Sequence, residues 1–264
     1  MVSKLEIASI LYHDVVDNPR DSGFQRPSAM SYKHTLSEFA QHLDKIATGP
    51  IAPELITDID FSRPGRHLLL AFDDGGKSAL YVSDELHKRN WKAHFFITTS
   101  LIGKRTFLNL DEIKYLQSCG HIIGSHSHTH PDIFKDLSLQ KMMEEWKISC
   151  ETLSQVTDTP CITASVPGGD ISSNVLRSAD AVGIRYLFTS EPDLRPQREG
   201  NCWILGRVCL KTRTSLSRVE ELIQFRGWRR ARMLRQAKVL LRTALFPLYR
   251  LYVRGVTHEW SDEK

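Results

Sequence analysis

The chain has 264 residues, 41% of them hydrophobic and 25% charged, with 15 Gly and 11 Pro. That composition sustains a buried core and excludes a disulfide miniprotein, a fibrous chain and a disordered one. The formal net charge of +4 hides a segregation: Leu222 to His258 holds nine basic residues and no acidic one, leaving 26 basic against 31 acidic residues, or −5, elsewhere.

From the N-terminus, the first strand-like run is Ile7–Tyr12, reached with no apolar leader or small-residue cleavage site before it. Thr35-Leu-Ser-Glu38 is a capping box opening a helix that buries Phe39, Leu43 and Ile46. Pro/Gly-rich excursions at 49–53 and 63–65 precede a second strand, Leu68–Phe72, and Ser78–Arg89 follows as a helix. His94–Thr98 reads as a strand, Asn109 with Glu112 starts a helix before Ile113 and Leu116, and Ile122–Ser125 is the next strand. Helices at Ser138–Leu153, Asn174–Val182 and Ser215–Phe225 then alternate with strands at Cys161–Val166, Tyr186–Thr189 and Trp203–Leu210. About seven strands with helices between them predict an α/β domain with a largely parallel sheet, either closed as a barrel or open and doubly wound. Five scattered cysteines without a CxxC read as reduced, mostly buried thiols. With no uncharged apolar run of membrane-spanning length, the expected setting is cytoplasmic.

Four strand ends carry chemistry. Leu68–Phe72 runs into Asp73-Asp74-Gly75-Gly76, two carboxylates where α/β folds place ligands, and the two can point apart and take separate roles. Ile122–Ser125 runs into His126, His128 and His130; one helical turn would bring His126 and His130 to one side, within reach of one ion, and leave His128 elsewhere. Two imidazoles and one carboxylate leave coordination positions open, as a catalytic metal requires, and a spare carboxylate is then a candidate general base. Ile10–Tyr12 ends in His13 and Asp14, which fit a core strand's rim, and Cys161–Val166 ends in Pro167-Gly168-Gly169, where the backbone can turn close to a ligand.

Over roughly residues 5–210 these motifs resemble the polysaccharide deacetylases with a NodB-type domain, carbohydrate esterase family 4. Phe72-Asp73-Asp74-Gly75 resembles the family's Thr-Phe-Asp-Asp-Gly, with Ala71 in place of Thr, which implies Asp73 as catalytic base and Asp74 as metal ligand. His126-Ser-His-Thr-His130 resembles His-Ser/Thr-x-x-His and implies His126 and His130 as the other ligands. Leu11-Tyr-His-Asp14 resembles a segment that one branch carries at its N-terminus, implying His13 as general acid with Asp14 as its orienter. The implied fold is a distorted, incomplete β/α barrel.

Two departures stand out. No arginine precedes Pro167 to orient the aspartate, and an Asp-x-x-Asp-Trp segment is missing; Arg207, on the last strand, is the candidate partner of Asp73. The resemblance implies removal of N-acetyl groups from an amino-sugar-containing polysaccharide, oligosaccharide or lipid-linked glycan, in bacterial surface polysaccharide synthesis, with a divalent metal, zinc first. A backbone N–H near Gly75 or Gly76 would hold the oxyanion, and Trp203 and Tyr12 are candidate sugar-stacking rings. The rival readings are a catalytically silent carbohydrate-binding scaffold and a metal-dependent hydrolase of another C–N bond.

Residues 226–264 read as a basic helical appendage to a catalytic domain at 1–225. Leu234, Ala237, Leu241, Ala244, Leu245 and Leu248 recur near helical spacing, with Arg230, Arg235, Lys238 and Arg242 between them. This pattern fits a helix packing its apolar stripe on the barrel with arginines in solvent. It also fits an interfacial helix over 226–254 on an anionic inner leaflet, with Trp228, Phe246, Tyr249 and Tyr252 at headgroup depth. Nucleic acid is disfavoured because no binding motif accompanies the charge, and the oligomeric state is left open.

Overall fold

The computed structural model describes residues 4–244. In chain order its strands are β1 (Leu5–Tyr12), β2 (Asp14–Val15), β3 (Lys33–His34), β4 (Gly65–Phe72), β5 (His94–Ile97), β6 (Ile122–Ser125), β7 (Thr163–Ser165), β8 (Tyr186–Phe188), β9 (Gln197–Glu199), β10 (Cys202–Leu205) and β11 (Val208–Cys209). The α-helices are α1 (Leu36–Ala47), α2 (Ala79–His87), α3 (Leu110–Ser118), α4 (Leu139–Thr157), α5 (Ser173–Ala181), α6 (Leu216–Ile223) and α7 (Trp228–Ala244).

Nine strands form the main sheet in the order β11-β1-β4-β5-β6-β7-β8-β10-β9, and β2 and β3 pair separately. All neighbours in the main sheet are parallel except β10 and β9. Nine strands replace the expected seven for two reasons. The run Trp203–Leu210 breaks at Gly206-Arg207 into β10 and β11, where a Cβ on Gly206 would fall 2.4 Å from the Glu191 carbonyl oxygen. Gln197–Glu199 is too polar to read as a strand, yet it pairs with β10 through a tight turn with Gly200 at φ 55°.

The break closes the fold. β10 lies beside β8 and β11 beside β1, yet Leu205 and Val208 are three peptide units apart, at most about 11 Å. The sheet must therefore curl until its two sides nearly meet, giving an α/β half-barrel. Side-chain alternation then sorts the apolar residues. Ile7, Leu11, Leu69, Phe96 and Phe188 cluster on one face, and Ala8, Ile10, Leu68, Leu70 and Phe72 meet Phe39, Leu43 and Ile46 of α1 on the other.

Helix starts follow the cap chemistry. Asn109 and Glu112 form a complete capping box for α3. For α1, Thr35 Oγ1 accepts from the Glu38 N–H at 3.1 Å, but the Glu38 carboxylate accepts from the Arg213 N–H, so the predicted box is half formed and ties the helix to a distant loop.

The appendage departs from the first expectation. Trp228 is buried and donates to the Leu222 carbonyl, and Arg232 and Arg235 turn toward the barrel, while Met233, Leu234 and Leu240 are exposed. Acidic groups on the barrel rim attract the arginines inward, and Leu234 and Ala237 of the expected stripe face outward instead. Residues 245–264 of the predicted tail lie outside the described residues. Among the described residues no helix is long and apolar enough to cross a membrane. All five cysteines are free; Cys202 is buried and the others are half-buried, rather than mostly buried.

Candidate active site

The chemistry-bearing residues gather at the carboxyl ends of the parallel strands, where side chains beyond the last backbone pairing project into one region. β1 delivers His13, β4 delivers Asp73 and Asp74, β6 delivers His126 to His130, and β7 delivers Ser165 to Gly169. His13, Asp73, Asp74, His126, His130 and the turn at Pro167 line a pocket of about 290 Å³.

The backbone turns left-handed at the second aspartate and the glycine after it: Asp74 has φ 78° and Gly75 φ 83°. Asp73 consequently points into the barrel, whereas Asp74 turns to the histidine loop, with its Oδ1 3.3 Å from His126 Nε2 and 3.6 Å from His130 Nε2. The histidines do not meet through a helical turn. Ser127 and His130 both adopt positive φ, Ser127 Oγ accepts from the His130 N–H at 3.1 Å, and the His126 and His130 rings lie 5.0 Å apart. His128 turns away to Thr99 Oγ1 at 2.9 Å. Glu145 of α4, nearly buried, accepts from the His128 and Thr129 N–H groups and the Thr129 hydroxyl. This anchor had no signal in the sequence, because a glutamate inside an amphipathic helix reads as a solvated face.

One ligand atom each from Asp74, His126 and His130 can be chosen so that all lie within 4.8 Å of one another. His126 Nδ1 is 2.9 Å from the Ser165 carbonyl oxygen, which can only accept, so Nδ1 carries a proton and Nε2 is the nitrogen that faces Asp74. Burial pushes His130 down to about 3, so its ring is neutral, and its buried Nδ1 has no protein partner. Burial alone would raise Asp74, but the hydrogen bond from His126 and the nearby His13 hold it far below the usual carboxylate range. Two imidazole nitrogens and an ionised carboxylate fit a divalent cation of the zinc type.

Asp73 is held by a fork. Arg207 Nη1 donates to Oδ1 at 2.8 Å and Nη2 to Oδ2 at 3.0 Å, while Ser165 Oγ donates to Oδ2 at 2.9 Å. Arg207 is fully buried, donates through Nε to the Thr189 carbonyl, and lies over the rings of Phe96 and Phe188. Burial favours the neutral acid at Asp73, but Arg207 and His126 outweigh it and keep the carboxyl below its ordinary value. Ser165 opens the turn singled out in the sequence, which gave it no role: its hydroxyl serves Asp73 and its carbonyl serves His126.

His13 lines the same pocket, its ring 4.8 Å from that of Tyr32 and its Nδ1 3.8 Å from Cys209 Sγ. Burial opposes its charge, yet Cys209, Asp74 and Asp73 together raise it above the usual histidine value. Asp14 does not orient it. Successive side chains on extended backbone point to opposite sides, and Asp14 Oδ1 accepts instead from Ser22 Oγ at 2.5 Å and Ser78 Oγ at 3.0 Å.

Three further expectations are corrected. Gly75 does not line the pocket; it packs against Ile97 while its carbonyl accepts from the Leu108 N–H. The pocket-facing turn is Pro167-Gly168-Gly169. Tyr12 is fully buried with its hydroxyl 3.2 Å from His42 Nδ1, and Trp203 stacks on Phe61 away from the pocket, so neither offers a ring to a ligand there; the aromatic rings that line the pocket belong to Phe24, Tyr32 and Phe134. Arg235 of α7 also lines the pocket, donating to Asp170 at 2.6 Å, Glu191 at 2.7 Å and the Gly169 carbonyl at 3.1 Å.

Residues 61–187 match the family model for polysaccharide deacetylase. An uncharacterized 30.6 kDa protein of Geobacillus stearothermophilus is 28% identical over 129 residues, covering 47% of this chain and 46% of the relative. The peptidoglycan-N-acetylglucosamine deacetylase PgdA of Listeria monocytogenes is 27% identical over 134 residues, covering 50% and 27%. The peptidoglycan-N-acetylmuramic acid deacetylase PdaA of Bacillus subtilis is 28% identical over 125 residues, covering 47% and 46%. The matches therefore span less than half the length of each of these relatives. Among solved structures, a polysaccharide deacetylase from Bacillus cereus aligns with a TM-score of 0.71 at 18% identity, over 83% of this chain and 69% of that one. IcaB from Ammonifex degensii aligns with a TM-score of 0.67 at 20% identity, over 83% and 97%. These likenesses show a shared fold. The match to the polysaccharide deacetylase model takes in Asp73, Asp74, His126, His130 and Ser165, so the part of the chain that carries these residues is similar to that family.

Proposed function

We propose that this chain hydrolyses the acetamide of an N-acetylated amino sugar within a glycan, using a divalent cation held by Asp74, His126 and His130. One observation carries the reading: this ligand set and the fork-held Asp73 share one pocket with His13. Bound there, the cation supplies acidification of a water toward a pKa of about 7 and polarisation of the amide carbonyl.

The chain's own residues do the rest. Asp73 accepts the proton of the attacking water; Arg207 and Ser165 fix the carboxylate's orientation, and its oxygens retain lone pairs for that proton. As the C–N bond breaks, His13, protonated near neutral pH by its anionic surroundings, gives a proton to the leaving amine. Acetate and the free amino sugar leave, Asp73 returns its proton to solvent, and His13 takes one up. Phe24 and Tyr32 present ring faces on which a pyranose can rest.

The glycan we propose is a bacterial surface polysaccharide, its oligosaccharide fragments or a lipid-linked precursor. The reading of a silent scaffold drew on the missing arginine before Pro167 and the missing Asp-x-x-Asp-Trp segment; Arg207 at 2.8 Å from Asp73 answers the first of these. Metal analysis followed by acetate release from a panel of N-acetyl sugars and glycan fragments tests the proposal. Metal-loaded protein that binds glycans and releases no acetate from any of them would overturn it.

A further inference from the structure

Helix α7 has two unlike faces. Trp228, Arg232 and Arg235 lie on the barrel side, where the indole is buried and the two guanidinium groups pair with Asp193, Asp170 and Glu191. At 3.6 residues per turn, Arg229, Arg230, Met233, Leu234, Ala237 and Leu240 fall on an opposite arc of roughly 140°. All six are exposed, with Met233 at 62%, Leu234 at 57% and Leu240 at 71%. The helix contains no acidic residue, and neither does the sequence from Leu222 to His258.

We infer that this outward face docks on the surface of an anionic lipid bilayer. Large apolar side chains interleaved with arginines suit a helix lying in the headgroup layer, where the former enter the acyl boundary and the latter meet lipid phosphates. A second copy of the chain is a poor occupant, because the same basic face would meet itself. Nucleic acid would use the arginines and leave Met233, Leu234 and Leu240 in water. Docking is independent of the deacetylase proposal. If both hold, Arg235 on the inner side of the helix places the pocket wall within about 10 Å, one helix diameter, of the bilayer, and glycans attached to lipid come within reach.

The test is co-sedimentation of the full chain with vesicles of mixed phosphatidylglycerol and phosphatidylcholine, and with phosphatidylcholine alone. Binding to the anionic vesicles should exceed binding to the neutral ones by on the order of 10-fold and fall as salt is raised. M233S/L234S/L240S and, separately, R229Q/R230Q should each lower it by a similar factor, with circular dichroism and metal content unchanged. The inference is overturned if the wild type binds neither or both kinds of vesicle equally, or if the serine variant binds as the wild type does. Binding of duplex DNA that competes with the vesicles and is insensitive to the serine substitutions would overturn it in favour of nucleic acid.

Discussion

The guanidinium of Arg207 meets the carboxylate of Asp73 edge to edge, two hydrogen bonds of 2.8 and 3.0 Å joining residues 134 positions apart inside the barrel. Replacing Arg207 by Met should leave a buried, uncompensated carboxylate and cost roughly 3–5 kcal/mol of stability. With its largest opposing partner gone, burial raises the proton affinity of Asp73, so the acid limb of the pH–rate profile should move to higher pH. Arg207→Lys should not restore the profile, because an ammonium cannot form the fork. An unmoved acid limb in Arg207→Met would rule out this positioning role.

Asp73 and Asp74 should separate cleanly by mutation. Asp74→Ala and His126→Ala should lose metal and activity together, whereas Asp73→Asn should keep metal and lose activity by roughly 10²–10⁴-fold. Zinc should raise the melting temperature of the wild type and of Asp73→Asn, but not of Asp74→Ala, since only a bound ligand stabilises the folded state. Near-normal turnover by Asp73→Asn would remove Asp73 from the base role.

Glu145 supports the histidine loop from behind, through two backbone N–H groups and the Thr129 hydroxyl. Glu145→Gln presents an amide to donors that need an acceptor and should lower metal affinity by roughly 10-fold or more. A zinc titration equal to that of the wild type would assign the carboxylate to helix packing alone.

Arg235 ties the turn at Gly169 and Asp170 to Glu191 from the appended helix. Arg235→Gln should raise KM on the order of 10-fold with little change in kcat, because a loosened pocket wall weakens substrate binding without touching the reacting groups. Hydrogen exchange across residues 166–171 should quicken in the same variant, a readout that needs no substrate. Unchanged exchange together with an unchanged KM would refute the clamp.

Two buried neutral histidines away from the site set a pH dependence of stability. His94 Nε2 accepts from the Ile56 N–H and its Nδ1 faces the Leu70 carbonyl, while His121 Nδ1 accepts from the Ala93 N–H and its Nε2 faces Ser83 Oγ. Burial pushes both down to about 4. Below pH 6.5 the unfolded chain binds protons that the folded rings refuse until about pH 4, so stability falls as pH falls through that window, by about 3 kcal/mol for each ring. Urea midpoints at pH 7.5, 6 and 5 should follow this slope, and His94→Gln should flatten it. An equal slope in that variant would count against His94 as its source.

The sequence by itself determined what depends on local pattern: helix caps at Thr35 and Asn109, apolar runs of strand length, and the spacing of Asp73, Asp74, His126 and His130 at strand ends. These are legible because capping, side-chain alternation and metal-ligand chemistry act over a few residues. Only the tertiary structure decided the rest. Gly206 breaks one apparent strand into two because the Glu191 carbonyl, distant in sequence, occupies the space a Cβ would need. Arg207 becomes the partner of Asp73 because the sheet curls, Asp14 turns from His13 toward Ser22 and Ser78, and the tail helix faces its arginines inward because Asp170, Glu191 and Asp193 stand on the rim. Each of these outcomes is set by residues from separate segments meeting in space, where burial strengthens charge and leaves no room for a misplaced atom.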